Sequence, residues 1–142
     1  MIRSPLNDSE WEAYFNLRFE LLRAPWNQPK GSEQTIDEKV HKHFAYFNLK
    51  NEIIGVGRLD KIDEYTSQIR FMATLKTQQR QGIGSALINK IELSAKQDGS
   101  NQIFLHAREN ALDFYLKLGY KTDSMSYILF DRIQHYLMIK SI

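Results

Sequence analysis

The fold of this chain is decided by the stretch Gln79-Arg80-Gln81-Gly82-Ile83-Gly84-Ser85-Ala86-Leu87-Ile88. This stretch predicts a tight turn that opens directly into an amphipathic helix. Two glycines one residue apart let the backbone bend and approach a ligand without an intervening Cβ atom. The start of a helix also presents unpaired N–H groups and the positive end of the helix dipole. The stretch therefore predicts a binding site for a phosphate group.

The spacing within the stretch narrows the class of phosphate ligand. A dinucleotide-binding fingerprint requires a third small residue at position 87, where this chain has leucine. A Walker loop requires Gly-Lys-Ser or Gly-Lys-Thr, and the chain contains neither. What remains is the pattern Gln-x-x-Gly-x-Gly, placed after an apolar strand.

The elements next to this stretch predict a mixed sheet flanked by helices. Strands at 45–49, 53–59 and 68–75 are joined by short turns, which favours an antiparallel meander. A helix over 84–96 and a strand at 103–107 then form a right-handed parallel crossover. The two glycines of the second strand suit close packing or a bulge.

The remaining elements lie at the two ends of the chain. A capping box, Ser9-x-x-Glu12, predicts a helix that begins there and runs to about Arg23. The other predicted elements are a loop over 24–35, a short helix over 37–43, a helix over 111–118 capped by Asn110, and a last strand over 135–139.

Length and composition predict one domain spanning residues 1–142. The chain has no cysteine, which excludes disulfides, thiolate metal sites and a cysteine acyl-enzyme. Its net charge of +2 is too small, and its basic residues too scattered, to indicate nucleic acid. Because no apolar run approaches the roughly 20 residues of a membrane span and no secretory signal is present, we expect a cytoplasmic protein without membrane contact.

A second sequence segment supports the interpretation of the glycine loop. Residues Ala111-Leu112-Asp113-Phe114-Tyr115-Leu116-Lys117-Leu118-Gly119-Tyr120 follow the parallel strand. Together with Gln79-x-x-Gly82-x-Gly84, in this order and with these elements between them, the segment resembles the GNAT family of N-acetyltransferases. The resemblance covers roughly 45–122, and the two ends of the chain are similar in outline to the small bacterial, ElaA-like members. Residues 24–44 and 123–133 carry no family signal.

The resemblance implies an α/β (α+β) fold, the GNAT acyl-CoA N-acyltransferase fold, with a mixed central sheet. It implies acetyl-CoA as cosubstrate and direct transfer of the acetyl group to a primary amine, which agrees with the absence of cysteine. The two parallel strands should separate and hold the pantetheine arm. By analogy the cofactor is bound through main-chain atoms of Met72, Ala73 and Thr74, through backbone N–H groups of the loop, and by Asn110. The loop residues are Gln79, Arg80, Gln81, Gly82, Ile83, Gly84 and Ser85.

Tyr115 is the predicted catalytic residue, because the family places a tyrosine at the matching position beside the cofactor sulfur. A phenol with an ordinary pKa near ~10 can donate a proton to a departing thiolate. The alternative is that Tyr115 is a core aromatic. The general base stays open among several residues that could act through water: Asp60, Asp63, Glu64, His106 and Glu109.

Arg18 is the predicted substrate-binding residue. It lies in the middle of the apolar face of the first helix, which borders the acceptor pocket in the family, and a guanidinium there needs a partner or a route to water. The alternative is that its stem covers the core while its head reaches solvent. Weaker candidates for the same pocket are Trp26, Arg58 and Tyr46.

We expect no metal site, since His41 and His43 are two residues apart and a helix would point them in different directions. Two rival functions share the predicted fold: a non-catalytic acyl-CoA-binding or sensing module, and a protein-interaction domain that has lost the cofactor. The acceptor is a small-molecule or peptide amine that the sequence does not identify further. A homodimer is compatible with the family.

Overall fold

The computed structural model describes all 142 residues and contains one seven-stranded sheet with helices packed against it. The strands are β1 (Ile2–Arg3), β2 (Lys42–Phe47), β3 (Ile53–Lys61), β4 (Thr66–Thr74), β5 (Gln102–Arg108), β6 (Lys121–Leu129) and β7 (Ile133–Ser141). The α-helices are α1 (Asp8–Leu22), α2 (Ile83–Gln97) and α3 (Leu112–Lys117). None of them combines the length and apolar character needed to cross a membrane.

The sheet is mixed, in the order β1-β2-β3-β4-β5-β7-β6. Strands β1 to β4 pair antiparallel with one another in sequence order, which confirms the predicted meander. Strands β4 and β5 are parallel and are connected through α2, as the crossover required. Strand β7 lies between β5 and β6 and is antiparallel to both.

Helix α2 supplies the centre of the larger hydrophobic cluster. Its predicted apolar face, formed by Leu87, Ile88, Ile91 and Ala95, is completely buried against β2, β3 and β4. Each large aliphatic side chain buried in this way stabilises the fold by about 1.5–3 kcal/mol. A second, smaller cluster packs α1 against the sheet through Tyr14, Leu17, Ala45, Phe47 and Val56.

Helix α1 begins at Asp8, and its cap lies two residues before the predicted cap, Ser9. The cap is Asn7, whose side chain accepts a hydrogen bond from the N–H of Glu10 at 3.0 Å. The Glu10 carboxylate in turn accepts from the N–H of Leu6 and pairs with Arg3 of β1 at 2.8 Å. The prediction of Ser9 as the cap is therefore wrong. Two cap patterns, Asn7-x-x-Glu10 and Ser9-x-x-Glu12, overlap in the sequence, and the ion pair of Glu10 with Arg3 of β1 favours the first.

Three further elements differ from prediction. The helix expected over 37–43 is a single 3-10 turn, Glu38–Val40, and β2 already begins at Lys42. Strand β6 lies in a region without a strand pattern, because nearly all of its residues are exposed and only β7 pairs with it. Asn110 does not cap α3, which begins after Ala111 without a side-chain cap.

Candidate functional site

Strands β4 and β5 pair over only three residues and then separate. Residues 66–68 lie opposite 102–104 in parallel register. Beyond them no pairing joins the two strands, although β4 stays paired with β3 as far as Thr74 and β5 with β7 as far as Arg108. The facing edges therefore carry peptide groups without a strand partner. The split implied by the resemblance is present, and it forms a wedge between β4 and β5.

A bulge in β4 stands at the wall of this wedge. Phe71 and Met72 together oppose the single residue Gly57, and Phe71 has a left-handed backbone with φ of 56°. A bulky residue in this region stores about 1–3 kcal/mol of strain. Gly57 makes room for the bulge, because a Cβ atom there would lie 2.6 Å from Sδ of Met72. The suggestion that the glycines of this strand permit a bulge is confirmed.

The predicted phosphate loop runs from the end of β4 to the start of α2. It contains a 3-10 turn, Lys76–Gln78, followed by two left-handed residues, Arg80 and Gly82. Gly82 is the N-cap of α2 and provides no side-chain hydrogen bond to the helix. The first N–H groups of α2 consequently have no side-chain partner, which is the arrangement that anions bind at helix N-termini.

The two glycines of the loop have different structural roles. Gly82 has φ of 79°, and no protein atom lies within 4 Å of the position that a Cβ would take. Gly84 has an ordinary backbone, but a Cβ there would lie 3.0 Å from Cζ of Phe114 and 3.7 Å from Oγ1 of Thr74. Gly82 thus permits the turn, whereas Gly84 permits close contact of α2 with both β4 and α3.

Tyr115 lies on α3 and lines the wedge together with residues of β4 and β5. Its side chain is only 7% exposed, and its ring packs edge-on against Phe114 and Tyr120. Burial raises the pKa of Tyr115, an effect that the positive charge of Arg108 partly opposes. The phenol is therefore protonated at neutral pH. Asn110 is exposed beside it, at the end of β5.

The wedge encloses a cavity of about 560 Å³. Residues of β4, β5 and α3 line it, and the end of α1 and residues of β6 and β7 close it. Tyr115 and Met72 are among the lining residues, so the structure brings together two of the predicted site residues. The lining also contains Arg23, Arg70 and Arg108, and it contains no carboxylate.

Arg18 does not line this cavity. Its side chain is completely buried, and it donates to Glu38 at 2.8 Å, to the carbonyl oxygen of Glu33 and to the hydroxyl of Tyr14. The guanidinium also lies 4.3 Å from the ring centroid of Phe71. The alternative in which its head reaches solvent is wrong. The predicted substrate-binding residue therefore lies inside the protein, where it contacts the lining residue Phe71.

Of the candidate bases, the acidic residues are held away from the cavity. Asp60 binds Arg58 through both carboxylate oxygens at 2.7 Å. Asp63 accepts from the N–H groups of Tyr65 and Thr66 at the turn between β3 and β4. Glu64 and Glu109 are exposed and do not line the cavity.

His106 has a different environment from those acids. It lines the cavity, and its Nδ1 atom is buried without a hydrogen-bond partner. Burial, together with the positive charge of Arg70, lowers the pKa of His106, so the imidazole is neutral at neutral pH. A neutral imidazole beside the wedge can accept a proton.

His41 and His43 have separate partners. His41 lies 2.8 Å from Asp37, whereas His43 contacts the hydroxyl of Tyr14 and the carbonyl oxygen of Glu38. His135 is also at the cavity wall, where it stacks on Tyr127 at 4.5 Å. Each of these imidazoles is thus engaged by a different set of neighbours.

The sequence also agrees with a known family along most of its length. The sequence model described as "Acetyltransferase (GNAT) domain" matches residues 22–142. The chain belongs to the GNAT acetyltransferase family. The matched region includes the loop, the wedge and Tyr115, so the features that carried the resemblance lie within the family's own pattern.

Similar proteins occur in Bacillus subtilis. YjcF, described as an uncharacterised N-acetyltransferase, is 27% identical over 136 residues, which are 94% of each protein. Another relative from the same organism is 33% identical over 91 residues. That match spans 64% of this chain and 60% of the relative.

Solved structures of GNAT proteins superpose on nearly the whole chain. An aminoglycoside 6'-N-acetyltransferase complexed with coenzyme A has a TM-score of 0.82 at 16% identity, covering 99% of this chain and 96% of that one. ElaA of Escherichia coli has a TM-score of 0.77 at 19% identity, covering 96% and 93%. At such identities the likeness shows the GNAT fold, which confirms the predicted fold class.

Proposed function

We propose that this protein is an N-acetyltransferase that transfers the acetyl group of acetyl-CoA directly to a primary amine. The observation that carries the proposal is the convergence of three features on one wedge. The start of α2 touches both the end of β4, at Thr74, and α3, at Phe114. The next residue of α3, Tyr115, lines the cavity between the separated strands. The predicted anion site and the predicted proton donor therefore both border the open strand edge, and this arrangement supports the proposal.

The residues around the wedge fit acetyl-CoA. No acidic residue occurs from Leu75 to Ser85, and Lys76 and Arg80 are exposed there, so the segment suits a pyrophosphate. The unpaired edge of β4 at Met72–Thr74 suits the amide groups of a pantetheine arm. Asn110 is exposed at the end of β5 and is free to contact the cofactor from the other wall. Acetyl-CoA supplies the acetyl group and departs as the CoA thiol.

The amine must lose a proton before its nitrogen can attack the acetyl carbonyl carbon. His106 is the group that we assign to this step, directly or through water. It lines the cavity and is neutral at neutral pH, whereas the acidic candidates are paired or lie outside it. Backbone N–H groups at the open edge of β4 would stabilise the negative charge that develops on the carbonyl oxygen.

The departing sulfur needs a proton when the carbon–sulfur bond breaks. Tyr115 would donate its phenolic proton to the thiolate and then recover a proton from solvent. Burial keeps the phenol protonated, and the positive charge of Arg108 stabilises the phenolate that forms briefly. The base on β5 and the acid on α3 would thus act on different atoms, the amine nitrogen and the departing sulfur.

Two measurements on the wild-type protein test this function. Binding of CoA should raise the melting temperature, because a ligand that binds only the folded state stabilises it. Release of the CoA thiol should then depend on both acetyl-CoA and an amine drawn from a broad panel. A melting-temperature rise with no thiol release for any amine would instead support the acyl-CoA-binding module. No rise at all would leave only the fold.

A further inference from the structure

The arginines near the wedge, two of them buried and two half-buried, fall into two groups. Arg18 and Arg58 are neutralised inside the protein, because Glu38 lies 2.8 and 3.0 Å from them and Asp60 binds Arg58 as well. Two other arginines, Arg23 and Arg108, line the cavity and form no ion pair with any carboxylate. Neither guanidinium is therefore bound directly by a carboxylate, and Glu33 acts on Arg23 only from a distance.

The partners of these two arginines are neutral. Arg23 donates to the carbonyl oxygens of Ser32 and Leu22, at 3.1 and 3.0 Å. Arg108 donates to the same oxygen of Leu22 at 3.4 Å, and its guanidinium lies 4.7 Å from the ring centroid of Trp26. Both guanidinium groups thus approach a single carbonyl oxygen, so two positive charges converge at one end of the cavity.

The rest of the cavity wall does not offset this charge. Arg70 adds a third cation, and its nearest carboxylate, Asp60 at 3.9 Å, is already bound by Arg58. The lining histidines are neutral at neutral pH. Burial, followed by repulsion from neighbouring arginines, lowers the pKa of both Arg23 and Arg108. An anion between the two would relieve that repulsion.

We propose that the amine acceptor carries a carboxylate or phosphate group, which binds between Arg23 and Arg108. Guanidinium groups bind both oxyanions through paired hydrogen bonds. This inference rests on the proposed acetyltransferase function and adds the chemical class of its acceptor. The cavity of about 560 Å³ must also hold the reacting end of the cosubstrate, so the acceptor is small, of the size of an amino acid or an amino phosphate. Polycationic amines are disfavoured by the same charges.

The first experiment compares matched amines by CoA release with the wild-type enzyme, at equal concentrations of the uncharged amine base. The pairs are β-alanine with β-alaninamide and O-phosphoethanolamine with ethanolamine, and spermidine is the polycation. We expect kcat/KM to be at least ~10-fold higher for the anionic member of a pair, the magnitude of one charge-assisted hydrogen bond. The two pairs distinguish a carboxylate from a phosphate.

Arginine variants locate the anion site. Arg23→Gln and Arg108→Gln should each raise KM for the preferred anionic amine at least ~10-fold relative to KM for its neutral partner. Because the charge of Arg108 also supports the Tyr115 phenolate, any fall in kcat of the Arg108 variant should be equal for the two amines. Lys50→Gln, in the exposed turn between β2 and β3, removes the same unit of charge far from the cavity and should change neither value. A retained rise in melting temperature with CoA shows that each variant is folded.

The outcomes separate the two levels of the proposal. If the wild-type enzyme acetylates neutral amines as well as their anionic partners, the anion site is wrong while the acetyltransferase function stands. The anion site is equally wrong if neither glutamine variant changes KM for the anionic amine. If no amine of any charge releases CoA, the proposed function itself is wrong.

Discussion

Replacement of Tyr115 by phenylalanine removes one oxygen atom from a buried ring and tests whether that ring donates a proton. The ring itself should stay packed between Phe114 and Tyr120, at centroid distances of 5.0 and 5.8 Å. The Tyr115 hydroxyl makes no hydrogen bond with the protein, so the substitution removes none from the folded state. The free energy of unfolding should therefore change by less than about 0.5 kcal/mol.

The effect on catalysis should be much larger. A general acid contributes about 10²–10⁴-fold to a rate, and water can replace part of it. We expect kcat to fall at least ~10-fold, which corresponds to about 1.4 kcal/mol of activation free energy. The acceptor KM should change little, because the hydroxyl acts mainly in the transition state.

Tyr120 provides a matched control for the same chemical change. Its hydroxyl donates to Glu92 at 2.8 Å, and Lys140 pairs with the same carboxylate at 3.0 Å. Tyr120→Phe should lose about 1.5–3 kcal/mol of stability, because a hydrogen bond to a charged group disappears. It should leave kcat unchanged, since Tyr120 does not line the cavity.

The assay is steady-state release of the CoA thiol, with a single-turnover measurement to show that chemistry limits the rate, and thermal unfolding for stability. The proton-donor role requires the Tyr115 variant to be stable and slow. A variant that turns over at nearly the wild-type rate, with chemistry rate-limiting, would refute the role and leave Tyr115 as a packing residue.

Three more changes test other parts of the site. Gly82→Val should remove the rise in melting temperature caused by CoA while the protein stays folded, because no atom obstructs the side chain but φ of 79° disfavours it. Asparagine tolerates this backbone, so Gly82→Asn should keep part of the rise. An undiminished rise in the valine variant would place the pyrophosphate elsewhere. Burial first, and then Arg70, lower the pKa of His106, so its proton-accepting neutral form is lost only below about pH 6.5, the unperturbed value. His106→Asn should lower kcat/KM and abolish the fall of kcat/KM at acidic pH. If that fall persists in the variant, another group accepts the proton. Glu38→Gln should destabilise the fold by about 3–5 kcal/mol in urea unfolding, because it leaves Arg18 and Arg58 buried without their shared carboxylate. A loss below about 1 kcal/mol would show that the other partners of the two arginines are enough to stabilise their buried charges.

The Glu38 carboxylate also sets a direction for pH-dependent stability. Burial opposes its ionisation, but the N–H of Thr35 and the charges of Arg18 and Arg58 outweigh this and hold the pKa of Glu38 below its usual value. Its contribution to stability is present above pH ~4.5 and is lost as the pH falls through the lower, folded pKa. The Glu38→Gln variant should therefore lose less stability than the wild type on acidification through this range.

Local patterns in the sequence determined the centre of the fold. The loop glycines, the apolar face of α2 and the segment from Ala111 to Tyr120 each constrain a few neighbouring residues, and the structure places all three where they were predicted. The turn before α2 requires a left-handed residue at position 82 whatever the rest of the fold, and glycine permits it. The spacing of Leu87, Ile88 and Ile91 specifies one buried face of the helix. Such features depend on backbone sterics and helical periodicity, which act over short distances along the chain.

The structure alone decided which side chains face the wedge. Arg18 has the spacing of a core position, and only the approach of Glu38, 20 residues later, neutralises it there. Arg23 and Arg108 lie far apart in sequence, and the folded chain brings both to the carbonyl oxygen of Leu22, at the end of α1. The sequence around a charged side chain does not identify its ion-pair partner, because pairing depends on distances that only the folded chain sets. The fold family could therefore be predicted from motifs, whereas the charge of the cavity between β4 and β5 emerged only from the tertiary structure.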